Sequence, residues 1–163
     1  MKTAEKVIEE LSLTPHPEGG WFRRTYESKS LINSSRGKRP ASTSILYLLQ
    51  RGEVSKLHFL DADELWYFHQ GAPLSLHLFD QGEYSLINLG CDHAIGARYQ
   101  VTIGAGTIFG GVPDPDSSHD WSLVSCSVSP GFLQAGFFWP DMKKMRKIYK
   151  NRGSLLAQLA PSN

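Results

Sequence analysis

Between about residues 21 and 139, apolar and polar residues alternate in short runs, broken by Gly, Pro, Asp and Asn. The runs cover 42–50, 55–60, 65–69, 74–79, 84–89, 99–103, 106–109 and 121–128. Many short strands at near-regular spacing predict an all-β sandwich or barrel, and no βαβ alternation interrupts them. The ends read differently. Thr3 is placed to cap a helix whose stripe is Val7, Ile8 and Leu11, with Glu5, Lys6, Glu9 and Glu10 toward water, and Pro15 and Pro17 end it. After Pro140, Asp141 caps a basic helix carrying Met142, Met145 and Ile148 on its apolar side, and a second short helix is expected around 154–159. No internal repeat or low-complexity linker divides the chain. The expected organisation is one domain over 1–163, with a β core from about 18 to 140 and a helical tail over 141–163.

One stretch concentrates the candidate chemistry. Gly52 is followed six residues later by His58, Glu64 comes six after that, and Gly71 seven later still. Alternation puts Lys56, His58 and Leu60 on one face of a strand, and Glu64, Trp66 and Phe68 on one face of the next. Asp61-Ala62-Asp63 is polar and short enough for a hairpin turn, so His58 and Glu64 are expected to face each other across it.

This spacing resembles the first conserved motif of the cupin superfamily, in which a glycine precedes a His-x-His pair, then a glutamate and a second glycine. Gly52, His58, Glu64 and Gly71 match it, whereas Leu60 stands at the second histidine. Further blocks are similar to the cupin-5 branch: Pro17-Glu18-Gly19-Gly20-Trp21-Phe22-Arg23-Arg24-Thr25-Tyr26, then Ser42-Thr43-Ser44-Ile45-Leu46-Tyr47-Leu48-Leu49, then Asp63-Glu64-Leu65-Trp66-Tyr67-Phe68-His69, then the run from Ser122 to Phe132. The resemblance implies a double-stranded β-helix, the cupin jelly-roll barrel, with short terminal helices, and it implies a homodimer. In the second cupin motif Phe109 stands at the fourth ligand histidine. Two of the four usual metal ligands are therefore apolar. A stable transition-metal site needs three or more protein donors, so a divalent ion on His58 and Glu64 alone would bind weakly, and no resident cofactor is expected.

An inward histidine in an aromatic-walled cavity is a candidate general base, because its ordinary pKa of about 6.5 lies near working pH. Glu64 is expected to orient it. Leu57-His58-Phe59 also resembles the base-bearing strand of the deoxysugar epimerases of the same superfamily. Trp66, Phe68, Tyr47 and Phe109 are candidate walls or stacking platforms, Lys56 shares the face of His58, and Arg23, in the arginine slot of the cupin-5 signature, is the candidate phosphate anchor over its neighbour Arg24. Each has a structural alternative: aromatics commonly fill barrel interiors, and Glu18-Gly19-Gly20 reads as a turn. His16, His69, His77, His93 and His119 read as surface or structural residues, and Cys126 as a small buried one.

Charge narrows the partners. Seventeen Lys and Arg against sixteen Asp and Glu leave a net charge of +1, which argues against nucleic acid and charged membrane surfaces. The run Lys143-Lys144-Met145-Arg146-Lys147 reads as a solvated helix face. No window approaches a membrane span, and no apolar leader opens the chain, so a cytoplasmic protein with two free thiols, Cys91 and Cys126, is expected. Three functions remain open: a metal-independent sugar-nucleotide epimerase or isomerase, a non-catalytic nucleotide- or sugar-binding cupin, and a weak-metal cupin enzyme.

Overall fold

Thr3 accepts a hydrogen bond from the Lys6 amide and opens α1, Ala4–Glu10, in the computed structural model, which describes residues 2–161. The ends of the expected domain, residue 1 and residues 162–163, lie outside the described residues. The helix stops before either proline: Leu11 caps it and Ser12 turns the chain at a φ of 52°. Val7 packs with Ile8 and Leu11 against Leu48 and Trp121, so the expected stripe does seat the helix on a sheet.

Thirteen strands follow among the described residues: β1 Thr14–Pro15, β2 Trp21–Glu27, β3 Leu31–Ser34, β4 Gly37–Pro40, β5 Thr43–Gln50, β6 Ser55–Leu60, β7 Asp63–Gly71, β8 Leu74–Asp80, β9 Glu83–Leu89, β10 Gln100–Ile103, β11 Ile108–Pro113, β12 Trp121–Ser129 and β13 Phe137–Phe138. They form a six-stranded sheet, β1-β2-β5-β12-β7-β10, a five-stranded sheet, β13-β6-β11-β8-β9, and a separate hairpin, β3-β4. This is the expected all-β jelly roll, built as two facing sheets rather than a closed barrel. The hairpin was not anticipated; its signal was Gly37, at a φ of 100°, ending the tight turn after Ser34. The expected strand at 106–109 starts later, at Ile108, because Ala105 and Gly106 turn the chain before it.

The sequence expectation fails at the turn after Leu60. Strands β6 and β7 do not form a hairpin. β6 pairs with β11 and β13, while β7 pairs with β12 and β10, so Asp61-Ala62 carries the chain from one sheet to the other. Local sequence sets the break but not the partner, because strand pairing is decided by distant residues. His58 and Glu64 consequently line one space from two different sheets, not neighbouring strands of one sheet.

Strand β6 is covered on both faces. Leu57 joins Phe79 of β8 and Met145, Tyr149, Leu156 and Leu159, which lie in or just after the C-terminal helices α2, Met142–Ile148, and α3, Gly153–Gln158. Asp141 caps α2 by accepting from the Lys143 and Lys144 amides, as expected. Ile148, expected on the apolar side, is 47% exposed, and Tyr149 fills that place. The main core lies between the sheets and contains Tyr47, Leu49, Trp66, Leu74, Leu76, Phe109 and Val124.

The two motif glycines have different reasons. A Cβ on Gly71 would run into the backbone oxygen of Trp121, at a φ of 97°. One on Gly52 would meet nothing within 4 Å, at a φ of 86°. Gly71→Ala is expected to destabilise by roughly 3 kcal/mol, from left-handed strain plus overpacking, and Gly52→Ala by about 1 kcal/mol. Urea unfolding of the two variants checks this; equal midpoints would refute the assignment.

Candidate functional site

Three segments bring ionisable groups to one cavity of about 190 Å³ between the sheets. Strand β6 supplies His58 and Leu60, β7 supplies Glu64 and Trp66, and the loop before β2 supplies His16 and Glu18. Tyr47 and Cys126 form part of the wall, with Phe22, Phe132 and Phe137, and Arg24 lines the cavity beside Glu27.

The loop residues are placed by backbone geometry. Gly19 and Gly20 adopt φ of 107° and 70°, and a Cβ on Gly19 would strike the Val54 carbonyl. Tyr47 donates its hydroxyl to the Gly19 carbonyl at 2.7 Å, and the Lys56 amide donates to the Glu18 carbonyl at 3.0 Å. Only glycine permits that close approach, and it drives Glu18 inward until the residue is 8% exposed. His16 Nδ1 accepts from the Glu18 amide at 3.2 Å, and its ring stands edge-on to Phe22.

His58 is 2% exposed. Its Nδ1 lies 2.7 Å from the Lys56 carbonyl oxygen. A carbonyl can only accept, so Nδ1 carries the hydrogen and Nε2 keeps the lone pair. Glu18 Oε2 stands 3.3 Å from the same Nδ1, and Ser55 Oγ donates to that oxygen at 3.4 Å. The carboxyl beside the imidazole is thus Glu18, not the expected Glu64. Phe109 packs at 4.3 Å and Phe137 stacks at 5.4 Å and 17°, closing the ring between two aromatics.

Burial sets the protonation of the whole cluster. Desolvation lowers the pKa of His58 to about 4, against the hydrogen bond to Lys56, which raises it. The same cause takes His16 to about 4. Glu18 is driven well above the carboxylate range by desolvation and then by the charge of Glu64. Glu64 rises to about 7 through desolvation. The Trp66 indole lies close enough to oppose this, yet neither Trp66 Nε1 nor Glu64 Oε2 makes a hydrogen bond of full geometry. Cys126 is also pushed well up, by burial and by both carboxyls, which marks it as a neutral thiol.

The remaining expected residues fall outside the lining. Arg23 is exposed on β2, and it is Arg24 that reaches the cavity. Phe109 and Phe68 pack within or against the core, behind the walls. Lys56 is half-buried and contributes its backbone carbonyl to His58. Glu18 and Cys126 lie in blocks similar to the cupin-5 branch, but nothing in those blocks marks either as lining a cavity, and His16 lies just outside them. Among the described residues no three His, Cys, Asp or Glu side chains are arranged to hold a metal ion. Leu60 lines the cavity and Phe109 packs on His58, so neither of these two apolar side chains adds a donor beside His58 and Glu64.

The chain matches, over residues 5–139, the family model described as cupin superfamily (DUF985), the cupin-5 branch. Two solved structures cover essentially the whole chain: a protein of Shewanella oneidensis, 36% identical with a TM-score of 0.89 over 100% of both chains, and a hypothetical protein from Leishmania major, 32% identical with a TM-score of 0.89 over 99% of this chain and 100% of that one. Oxalate decarboxylase from Bacillus subtilis is 12% identical, with a TM-score of 0.56 over 91% of this chain and 37% of its own, a likeness of fold alone. No curated protein matches. No helix among the described residues is long and apolar enough to cross a membrane.

The protonation pattern has a direct consequence for stability. Glu64, at about 7 when folded against an ordinary 4.5, holds a proton that the unfolded chain has lost, so its contribution is full below about pH 4.5 and disappears as pH rises through 7. Glu64→Gln removes that loss, and the variant should gain on the wild type by on the order of 3 kcal/mol between pH 5 and 8. His58, lowered to about 4, works in the opposite sense: stability is lost as pH falls from 6.5 toward 4, and His58→Gln should spare that loss. Urea unfolding across pH 4–8 reads both slopes; curves parallel to the wild type would show that neither group is buried in its neutral form.

Proposed function

Because the chain belongs to the cupin-5 family (DUF985) of the cupin superfamily, we propose that it binds a small polar metabolite between its sheets and moves a proton on it without a metal. The observation that carries this reading is a buried carboxyl poised at about 7, Glu64, sharing a cavity with a histidine whose Nε2 keeps its lone pair. A group that exchanges its proton near working pH suits general acid–base catalysis.

The reaction class is epimerisation or isomerisation beside a carbonyl. The C–H bond breaks, its electron pair moves toward the carbonyl oxygen, the proton passes to the Glu64 carboxylate, and return of a proton to carbon completes the change. Glu18, kept protonated by burial, offers an O–H to the oxygen as negative charge develops there. Burial shifts the emphasis within the expected pair. At about 4 the imidazole is a weaker base than Glu64 at about 7, so His58 serves as a fixed neutral partner and Glu64 as the group that titrates. The cavity offers a nucleotide little: among the described residues Arg24 is the one Lys or Arg in its lining, and its guanidinium already meets Glu27 at 2.7 Å. A free sugar or another hydroxycarbonyl compound of one ring or less suits about 190 Å³ better.

A second reading, a non-catalytic binding protein, is favoured by the enclosure of His58 between Phe109 and Phe137. One experiment separates the two. A thermal-shift panel of sugars, nucleotide sugars, organic acids and divalent metals, with and without chelator, identifies a ligand, and NMR in D2O then follows exchange at the carbon beside its carbonyl. Exchange that Glu64→Gln slows by about 100-fold or more, with binding kept, supports proton transfer. Tight binding without exchange supports the non-catalytic reading. A shift seen only with metal and erased by chelator overturns the metal-free proposal.

A further inference from the structure

We propose that the ligand of this cavity carries an ammonium group, held between the carboxyls of Glu18 and Glu64 and against the aromatic faces of Tyr47, Trp66 and Phe22. The inference rests on the reading of the cavity as a binding site and adds the chemical class of what enters it.

Glu64 is 7% exposed, it lines the cavity, and among the described residues its Oε2 makes no hydrogen bond of full geometry, with the Trp66 indole the one donor near the carboxyl. A buried carboxyl oxygen without a donor is costly unless something else approaches it. Glu18 is little better served. Ser55 Oγ at 3.4 Å and His58 Nδ1 at 3.3 Å are both long for bonds to a carboxylate, which run to about 2.7–2.9 Å, and the His58 hydrogen is already directed to the Lys56 carbonyl. Two carboxyls, near enough that the charge of Glu64 acts on Glu18, therefore share a cavity in which the described residues supply no cation at their depth.

The lining decides the sign of the ligand. Its titratable groups are Glu18, Glu64, His16, His58, Tyr47 and Cys126, with Arg24 beside Glu27. Both histidines are neutral well below working pH, and the thiol and phenol are driven up by burial, so none contributes positive charge. Arg24 is half-exposed, and its guanidinium lies 6.0 Å from the Phe132 ring centroid, already on an aromatic face. An anionic ligand would add negative charge to two carboxyls. A neutral one would meet Glu64 only as the protonated acid. An ammonium group ionises and pairs with Glu64, takes the carbonyl oxygen of protonated Glu18 as a further acceptor, and π-faces strengthen its hold once water is excluded. The walls fit this: Tyr47, Trp66 and Phe22 line the cavity, with Tyr47 and Trp66 edge to face at 5.8 Å and 83°.

Entry of a cation must expel the proton of Glu64, so affinity should rise between pH 6 and 8. The test uses ligands matched in shape and different in charge: glucosamine, glucose and glucuronate as one set, tetramethylammonium and tert-butanol as another. Titration calorimetry in two buffers of unlike ionisation heat reads affinity and proton release together. The proposal expects glucosamine or tetramethylammonium to bind at least ten times tighter than its neutral and anionic counterparts, with proton release, and Glu64→Gln to remove the preference. Should that variant fail to fold, Glu18→Gln must weaken the same cations. Binding of glucose or glucuronate as tight as that of glucosamine overturns the ammonium assignment and leaves the small-molecule reading standing. Absence of any preference for the cation in either set overturns it as well. Tight cation binding with no exchange beside a carbonyl would instead leave this inference intact and remove the catalytic half of the proposed function.

Discussion

Arg39 and Asp61 form the contact on which the cavity depends. Arg39 is 3% exposed, and its Nη1 meets Asp61 Oδ1 at 3.0 Å while its Nε donates to the Gly131 carbonyl at 2.6 Å. The second Asp61 oxygen takes Arg36 at 3.0 Å, and the Asp61 amide donates to the Gly136 carbonyl at 3.0 Å. Three separate parts of the chain meet there: the β3-β4 hairpin, the passage between sheets, and the segment after β12. A Cβ on Gly136 would collide with the Asp61 carboxyl, so that segment can approach closely only as glycine. A buried ion pair adds little net stability, yet removing one partner leaves an uncompensated charge, which makes such a contact good at fixing geometry.

The geometry it fixes is that of the site. Phe132, Gln134 and Phe137 lie on the segment held by Arg39 and Asp61, and Phe137 is the ring that stacks on His58. On the opposite side, the Gly19-Gly20 approach holds Glu18 against His58. The imidazole is therefore set by four things at once: its own strand, a backbone carbonyl, a carboxyl and an aromatic lid. Desolvation follows from this enclosure, and the neutral states of His16, His58 and Glu18 follow from desolvation.

Departures from the usual cupin pattern take on meaning in that setting. Leu60 lines the cavity, and Phe109 fills the space between His58 and Trp66. Where a cupin gathers histidines around an ion, these two residues lower the local dielectric and exclude water. Such an environment raises carboxyls and depresses imidazoles, and it strengthens whatever charge a ligand brings.

Alternation along the chain, glycine and proline breaks, and the helix caps at Thr3 and Asp141 depend on neighbours within a few residues. For that reason the all-β class, most strand positions and both terminal helices were legible in the sequence. The spacing of Gly52, His58, Glu64 and Gly71, with the other family blocks, also gave the family. What it could not give was pairing: Asp61-Ala62-Asp63 reads as a hairpin turn but carries the chain between sheets, because a strand's partner is chosen by residues far along the chain. Glu18 and His16 are silent in the sequence for the same reason, since a residue in a Pro-Gly loop acquires a role only when the fold brings it to the cavity, and the choice of Arg24 over Arg23 depends on which face of β2 meets that cavity. The sequence by itself determined the elements and the family. Tertiary structure alone decided which carboxyl stands beside His58 and how tightly Glu64 holds its proton, because both depend on burial and distance between segments that share no local signal.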